Sequence, residues 1–347
     1  MGVLGMAGSL QPAAAQEAKP TVIRIGSGSS GLGPPQTNNT MGILQDLGLL
    51  EQEFKADNIK IEWSFYKGAG PAQNEAFASN ALDFGFQGDM SAIIAKASGI
   101  GVEIVSASGV RGNNYIAVRS DSTIASFKDL KGKKIATMVG GPTYLFLARI
   151  LDANGLTLQD VQVLNITGDD AISALISGQV DVVMGKNVLD VSHLSIQNAV
   201  KIFYDTKNDP DVWKNISLLT AREDFVKQYP QITERIVKQW VKAAQWGSDE
   251  ANRSKMFEFW ARGGIPVTSL EKEYDGRTGK SISTPLLDGF VHEKIQQDLE
   301  LCKKVGIVRS TFDVNQWVDD SFQEQALKEL GLENFWTSYT GVQNQVK

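Results

Sequence analysis

KGAGPAQNEAFASNALDFGFQGD, Lys67 to Asp89, decides the fold, because its second half is written twice in the chain. When NEAFASNALDFGFQGD (Asn74 to Asp89) is set above ISALISGQVDVVMGKN (Ile172 to Asn187), the two segments match in character without a gap. Phe77 faces Leu175, Leu82 faces Val180, Asp83 faces Asp181 and Asp89 faces Asn187. Each reads as a short helix with small residues, a Gly or Asn stop, a hydrophobic strand and a polar turn. Such a unit reused roughly a hundred residues later points to two similar α/β lobes, since solenoid repeats recur every ~20 to 50 residues. Ligands of open α/β sheets sit beyond the carboxyl ends of the strands. The turns Gln87-Gly88-Asp89 and Gly185-Lys186-Asn187 are therefore the first site candidates.

A chain of 347 residues has room for about two domains, each with its own core. Hydrophobic residues make up 42% and charged residues 21%, a globular composition. The net charge of −6 argues against nucleic acid, whose partners cluster Lys and Arg. No apolar run approaches the ~20 residues of a membrane span; the most apolar stretch, Ala92 to Val110, carries Lys96 and Glu103. At the start, VLGMAGSLQPAAAQEA reads as the tail of a secretory signal, residues 1–16, with cleavage expected after Ala15. No basic residue precedes it. A single cysteine, Cys302, rules out an internal disulfide and a multi-cysteine metal site, and no cofactor or metal is expected.

Along the chain, Thr21 to Gly26 is a strand that breaks into GSGSSGLGPPQTNN before a helix over Met41 to Leu50. The GSGSSG spacing is not a dinucleotide fingerprint, because prolines occupy the place where the helix should begin. Ile59 to Phe65 is a second strand, ending in a glycine turn into a helix opened by Pro71. Leu82 to Phe86 is the third, and Asp89 reads as the N-cap of a helix through Ala97 or as a ligand contact. Val102 to Val110 and Tyr115 to Arg119 flank Arg111-Gly112-Asn113-Asn114, the expected first crossover between lobes. KGKK, Lys131 to Lys134, is a solvated turn without Walker spacing. Gly140-Gly141-Pro142-Thr143-Tyr144 then opens a helix and offers the best anion-binding geometry in the chain: free backbone, a Pro without an N–H, and a Thr hydroxyl at the positive helix end. Beyond Ile202 to Tyr204 and Ser217 to Thr220 the composition turns to long helices, with Ile232, Ile236, Trp240 and Ala243 at core spacing. The irregular segment 262–285 is placed to wrap back toward the cleft.

The order of these pieces resembles the solute-binding proteins of bacterial ABC importers, in the nitrate, sulfonate and taurine group that also includes pyrimidine-precursor binders. The resemblance spans about Thr21 to Leu330, and ALDFGFQGDMSAIIAKASG, SFKDLKGKKIATMVGGPTYLFLARILDANGL and ISALISGQVDVVM carry it. It implies an α/β, two-lobed periplasmic binding protein fold of type II, each lobe a mainly parallel sheet flanked by helices, with a C-terminal helical region. Residues 20–113 and 218–347 would form the first lobe and 114–217 the second, the ligand lying between them. Gly88 and Asp89 match the family's Gly-Asp turn, and Gly141, Pro142 and Thr143 its helix-start loop. Pro142 replaces a residue with an N–H, and Lys186-Asn187 stand where sulfonate binders often show Trp-Asp. The implied partner is an ABC permease, the implied site periplasmic, and the expected form a monomer.

A buried anion needs hydrogen bonds and a compensating charge. Thr143, Asn113, Asn114, Asn187 and Lys186 can supply them, while Asp89 repels a bare anion unless it pairs with a protein cation or a ligand amine. An organic anion is thus the preferred ligand; nitrate, an aromatic acid, a pyrimidine precursor or a sensory role remain alternatives. Members of this fold that are desulfinases use a cysteine nucleophile. Cys302 and His292 share the stretch IQQDLELCKK and its lead-in, about 15 Å apart along one continuous helix, too far for nucleophilic Cys–His chemistry.

Overall fold

The computed structural model describes residues 19–28, 37–185 and 199–342. The signal segment 1–16, most of the glycine loop after Gly28, and Lys186, Asn187 and His193 lie outside the described residues.

The chain folds into two five-stranded sheets with helices on their faces. Strands β1 (Val22–Gly28), β2 (Lys60–Tyr66), β3 (Phe84–Gly88) and β4 (Val102–Gly112) lie in the first sheet. Strands β5 (Tyr115–Arg119), β6 (Lys134–Thr137), β7 (Gln162–Asn165), β8 (Val182–Gly185) and β9 (Val200–Asp205) build the second, and β10 (Asn215–Arg222) returns to the first. The orders are β2-β1-β3-β10-β4 and β7-β6-β8-β5-β9. In each sheet four strands run the same way, and the fifth, β10 beside the central β3 or β5 beside the central β8, runs antiparallel to them. One plan is therefore used twice, and the repeated segments occupy the same place in both: the helices Ala69–Ala78 and Gly168–Ile176 lead into β3 and β8.

The aligned aspartates show why the repeat is written as it is. Asp83 accepts from the Arg24 N–H at 2.8 Å, and its own N–H donates to the Arg24 carbonyl at 2.9 Å. Asp181 does the same with Lys134, at 2.8 Å in both directions. Each carboxylate staples the entry of the central strand to its parallel neighbour, a fixed register where one face must stay buried. Gly85, inside β3, leaves room for the helix above it: a Cβ there would fall 2.7 Å from the Phe77 ring.

Two connections join the sheets, Asn113-Asn114 between β4 and β5 and residues 206–214 between β9 and β10. The C-terminal helices pack on the first sheet. In Pro230–Ser248 the positions Ile232, Ile236, Val237, Trp240, Ala243 and Ala244 are buried, the stripe expected of a helix on a core. The Trp240 indole donates to the Ala107 carbonyl on β4 at 3.1 Å. Ile116, Val118, Ile135, Leu147, Ile150, Leu151, Val182 and Met184 form a separate core under the second sheet.

The helix expected over Met41 to Leu50 is two helices, Thr40–Asp46 and Leu49–Phe54, because Gly48 turns left-handed at φ 60°. Pro71 is not the first residue of its helix, which begins at Ala69. Asp89 does not occupy the N-cap; Gly88 does, and Asp89 is the first helical residue of Asp89–Ala97.

Candidate functional site

Three turns at the carboxyl ends of strands meet where the two sheets face each other. From the first sheet come the start of Ala69–Ala78 after β2 and the Gly88-Asp89 turn after β3; from the second comes Gly140-Gly141-Pro142 after β6. Ser91 Oγ donates to the Gly140 carbonyl at 2.8 Å, joining the lobes directly. A Cβ on Gly140 would lie 3.3 Å from Pro71 Cγ, and one on Gly88 would lie 2.2 Å from Pro142 Cγ. Gly88 is thus a glycine because the backbone of one lobe touches a proline ring of the other.

Gly141 is the N-cap residue of Pro142–Ala153, and Pro142 takes the first helical position, where a missing N–H costs nothing. Thr143 is 6% exposed and accepts a hydrogen bond from Thr137 Oγ1 at 2.8 Å, which leaves its own proton to donate onward. Tyr144 is half-buried, its phenol raised by burial, and packs between the cores of both lobes. Gln87, on β3, donates to Thr220 Oγ1 at 3.1 Å, while its Oε1 is buried without a partner.

The remaining described candidates each have partners within the protein. Asp89 is 1% exposed and packs beside Lys294, whose Nζ lies 3.6 Å from Oδ2; its Oδ1 accepts from the Met90 N–H at 2.7 Å. Burial raises its pKa to about 6, Lys294 opposing and Asp298 adding to the rise. Asn113 and Asn114 tie the two crossovers together. Asn114 donates from Nδ2 to the Trp213 carbonyl at 2.9 Å and from its backbone to Thr206 Oγ1 at 2.9 Å; Asn215 Nδ2 donates to the Asn113 carbonyl at 3.2 Å. Asn113 Nδ2 also reaches Glu273 Oε1 at 3.4 Å, and the Tyr115 hydroxyl donates to Glu273 Oε2 at 3.0 Å. Segment 262–285 therefore does wrap back, onto the crossover. Lys186 and Asn187 lie outside the described residues.

Sequence reasoning missed Ser91, Thr137 and Glu273. Ser91 sits, buried, in the first helical turn after Gly-Asp, where its polar side chain was the one local hint; Thr137 and Glu273 have no local pattern. Two hollows open elsewhere on the surface, one of about 240 Å³ beside Glu53, Arg235 and Lys242, the other of about 390 Å³ beside Phe127, Phe203 and Tyr204. Neither is lined by a residue of the three meeting turns. Cys302 is fully buried in the continuous helix Gly289–Lys304, and burial, then Asp298 and Asp89, raise its thiol pKa. His292, on the same helix, faces Asp320 at 3.1 Å. Among the described residues no helix is long and apolar enough to cross a membrane.

Two repeated α/β lobes, a double crossover and a site at facing strand ends define a periplasmic-binding-protein fold. The chain belongs to the NMT1/THI5-like family, whose model matches residues 54–251. A putative aliphatic sulfonates-binding protein of Bacillus subtilis is 26% identical over 86% of this chain and 88% of its own. The crystal structure of a putative sulfonate ABC transporter component, the periplasmic sulfonate-binding protein SsuA of Methylobacillus flagellatus, is 33% identical, with a TM-score of 0.77 over 91% of this chain and 97% of that one. The alkanesulfonate-binding protein SsuA of Xanthomonas axonopodis, bound to MOPS, shares the fold at 22% identity and a TM-score of 0.73, covering 88% of this chain and all of that one. These relatives are binding proteins by name.

Proposed function

We propose that this chain is the extracytoplasmic solute-binding subunit of an ABC importer, and that it captures a small organic anion, an aliphatic sulfonate in preference, between lobes that close on a hinge. The observation that carries the reading is the 33% identity over nearly the full length of a sulfonate-binding protein. The local chemistry agrees with it. Thr143 stands at the positive end of a 12-residue helix with its proton available, and Gly141 allows the backbone to approach. Asp89, the one carboxylate expected to repel an anion, is paired with Lys294 inside the first lobe. In this reading Gln87, Gly88, Gly141, Pro142, Thr143 and Tyr144 border the ligand, Lys186 supplies the compensating charge and Asn187 a further amide; Asn113 and Asn114 set the hinge. The chain is exported by its N-terminal signal, cut after Ala15, acts as a monomer, hands its ligand to a membrane permease and catalyses nothing.

The test is a thermal-shift panel on the mature protein, refolded to remove carried-over solute: aliphatic and aromatic sulfonates, taurine, carboxylates, nitrate and hydroxymethylpyrimidine. At a hundredfold excess over Kd a ligand specific for the folded state stabilises by about 2.7 kcal/mol, a shift of several degrees. A sulfonate shift that is lost in Thr143→Ala and Lys186→Ala supports the site. A shift with nitrate or the pyrimidine alone, or with none of the panel, overturns the ligand class.

A further inference from the structure

Four charged groups meet between the lobes in one buried cluster. Asp89 comes from Asp89–Ala97, Lys294 and Asp298 from Gly289–Lys304, and Arg149 from Pro142–Ala153 of the second lobe. Lys294 Nζ lies 2.5 Å from Asp298 Oδ2 and 3.6 Å from Asp89 Oδ2, while Arg149 Nη2 lies 2.5 Å from Asp298 Oδ1. The Asp298 side chain is 0% exposed, Lys294 and Asp89 are 2%, and Arg149 is 16%. The surroundings are apolar: Met90, Ile93, Phe290 and Val291 of the first lobe pack with Leu145 of the second.

The charge balance differs between lobes together and lobes apart. The first lobe alone holds two carboxylates against one ammonium, a net charge of −1; Arg149 brings the sum to zero. An unbalanced buried charge neutralises itself by exchanging a proton. We infer that Arg149 is an interlobe latch that couples closure to protonation: closing seats its guanidinium on Asp298 and releases a proton to solvent from Asp89, which shares Lys294 with Asp298, and opening takes one up. The inference needs two lobes that separate on the crossovers, and it is independent of the ligand's chemistry.

The groups facing Asp89 and Asp298 from each packed element are Arg149, Lys294, the Cys302 thiol, and the N–H groups of Met90 and Ile216. Burial holds the thiol neutral, so it exchanges nothing. With the cluster complete Asp89 titrates near 6, which sets the acid end of the response within easy reach of a titration. Lys304 and Asp152, 2.7 Å apart, make a second and more exposed pair across the same two helices. Glu103, raised to about 7 by burial and by Asp319 and Glu223, and His292, raised by Asp320, have first-lobe neighbours and do not sense closure.

Fluorescence energy transfer between dyes at Lys131→Cys and Glu258→Cys, one exposed position per lobe, reads closure in the ligand-free protein from pH 8.5 to 5. The closed-to-open ratio should fall with falling pH by up to about tenfold per unit, one proton per closure, and level off below about 6. Arg149→Met should lower the ratio at pH 8 and flatten the profile, and Arg149→Lys should restore both in part. A wild-type ratio independent of pH, or an Arg149→Met protein with the wild-type ratio and slope, overturns the latch. Should Arg149→Met fail to fold, Asp89→Asn carries the test: the profile should flatten, and an unchanged slope overturns the inference.

Discussion

Replacing Asp89 by Asn should make the protein more stable at neutral pH, although it removes a charge from an ion cluster. The folded structure raises this carboxyl from 3.8 to about 6, chiefly by burial, which outweighs the attraction of Lys294 at 3.6 Å. A group with a raised folded pKa contributes stability that is fully present below its unfolded pKa and is lost as pH rises through the folded value. Here the loss runs from about 3.8 to about 6. Roughly two units at 1.36 kcal/mol each amount to about 3 kcal/mol surrendered above pH 6. Asn keeps the acceptor for the Met90 N–H and forfeits the long 3.4 Å contact with the Ile216 N–H, a loss of about 1 kcal/mol. Lys294 retains Asp298 at 2.5 Å. Asp89→Asn should therefore gain about 2 kcal/mol at pH 7.5 and lose its advantage at pH 3.5. Urea denaturation of both proteins at the two pH values measures the difference. A variant destabilised equally at both pH values would refute the claim that desolvation, not pairing, governs this residue.

Gly88→Ala places a methyl 2.2 Å from Pro142 Cγ, so the lobes must part. The overpacking is worth about 1–3 kcal/mol, a roughly 5- to 150-fold loss in closure, visible as a larger radius of gyration in solution scattering; an unchanged radius and unchanged ligand response would count against the contact. Cys302, fully buried with its thiol raised by burial, should react with a thiol reagent at pH 8 only as the protein unfolds. Rapid labelling of the native protein would reopen the case for cysteine chemistry in this fold.

The fold was legible because its signal is local and repeated. Strand, helix and turn are each written within a few residues, and a repeat doubles the signal. The paired aspartates show how far that goes: Asp83 and Asp181 align in the sequence and make the same pair of hydrogen bonds in the structure. The site was legible only in its turns. Gly88, Pro142 and Thr143 announce themselves by backbone chemistry, and the structure brings the first two into contact. What a side chain does there depends on partners that no spacing reveals. Asp89 looked like a ligand contact because its turn is polar; its fate is decided by Lys294 and Asp298, contributed by a helix near the other end of the chain. At the first crossover the Asn114 amide donates to the Trp213 carbonyl of the second, and the Asn113 amide reaches Glu273 in the segment 262–285. In both cases a buried polar group finds a hydrogen-bond or charge partner, as most buried polar groups do. Spacing shows that such a group needs a partner, but the fold brings the partner from far away in sequence: Lys294 of the helix Gly289–Lys304 for Asp89, Glu273 for Asn113, and Trp213 of the second crossover for Asn114.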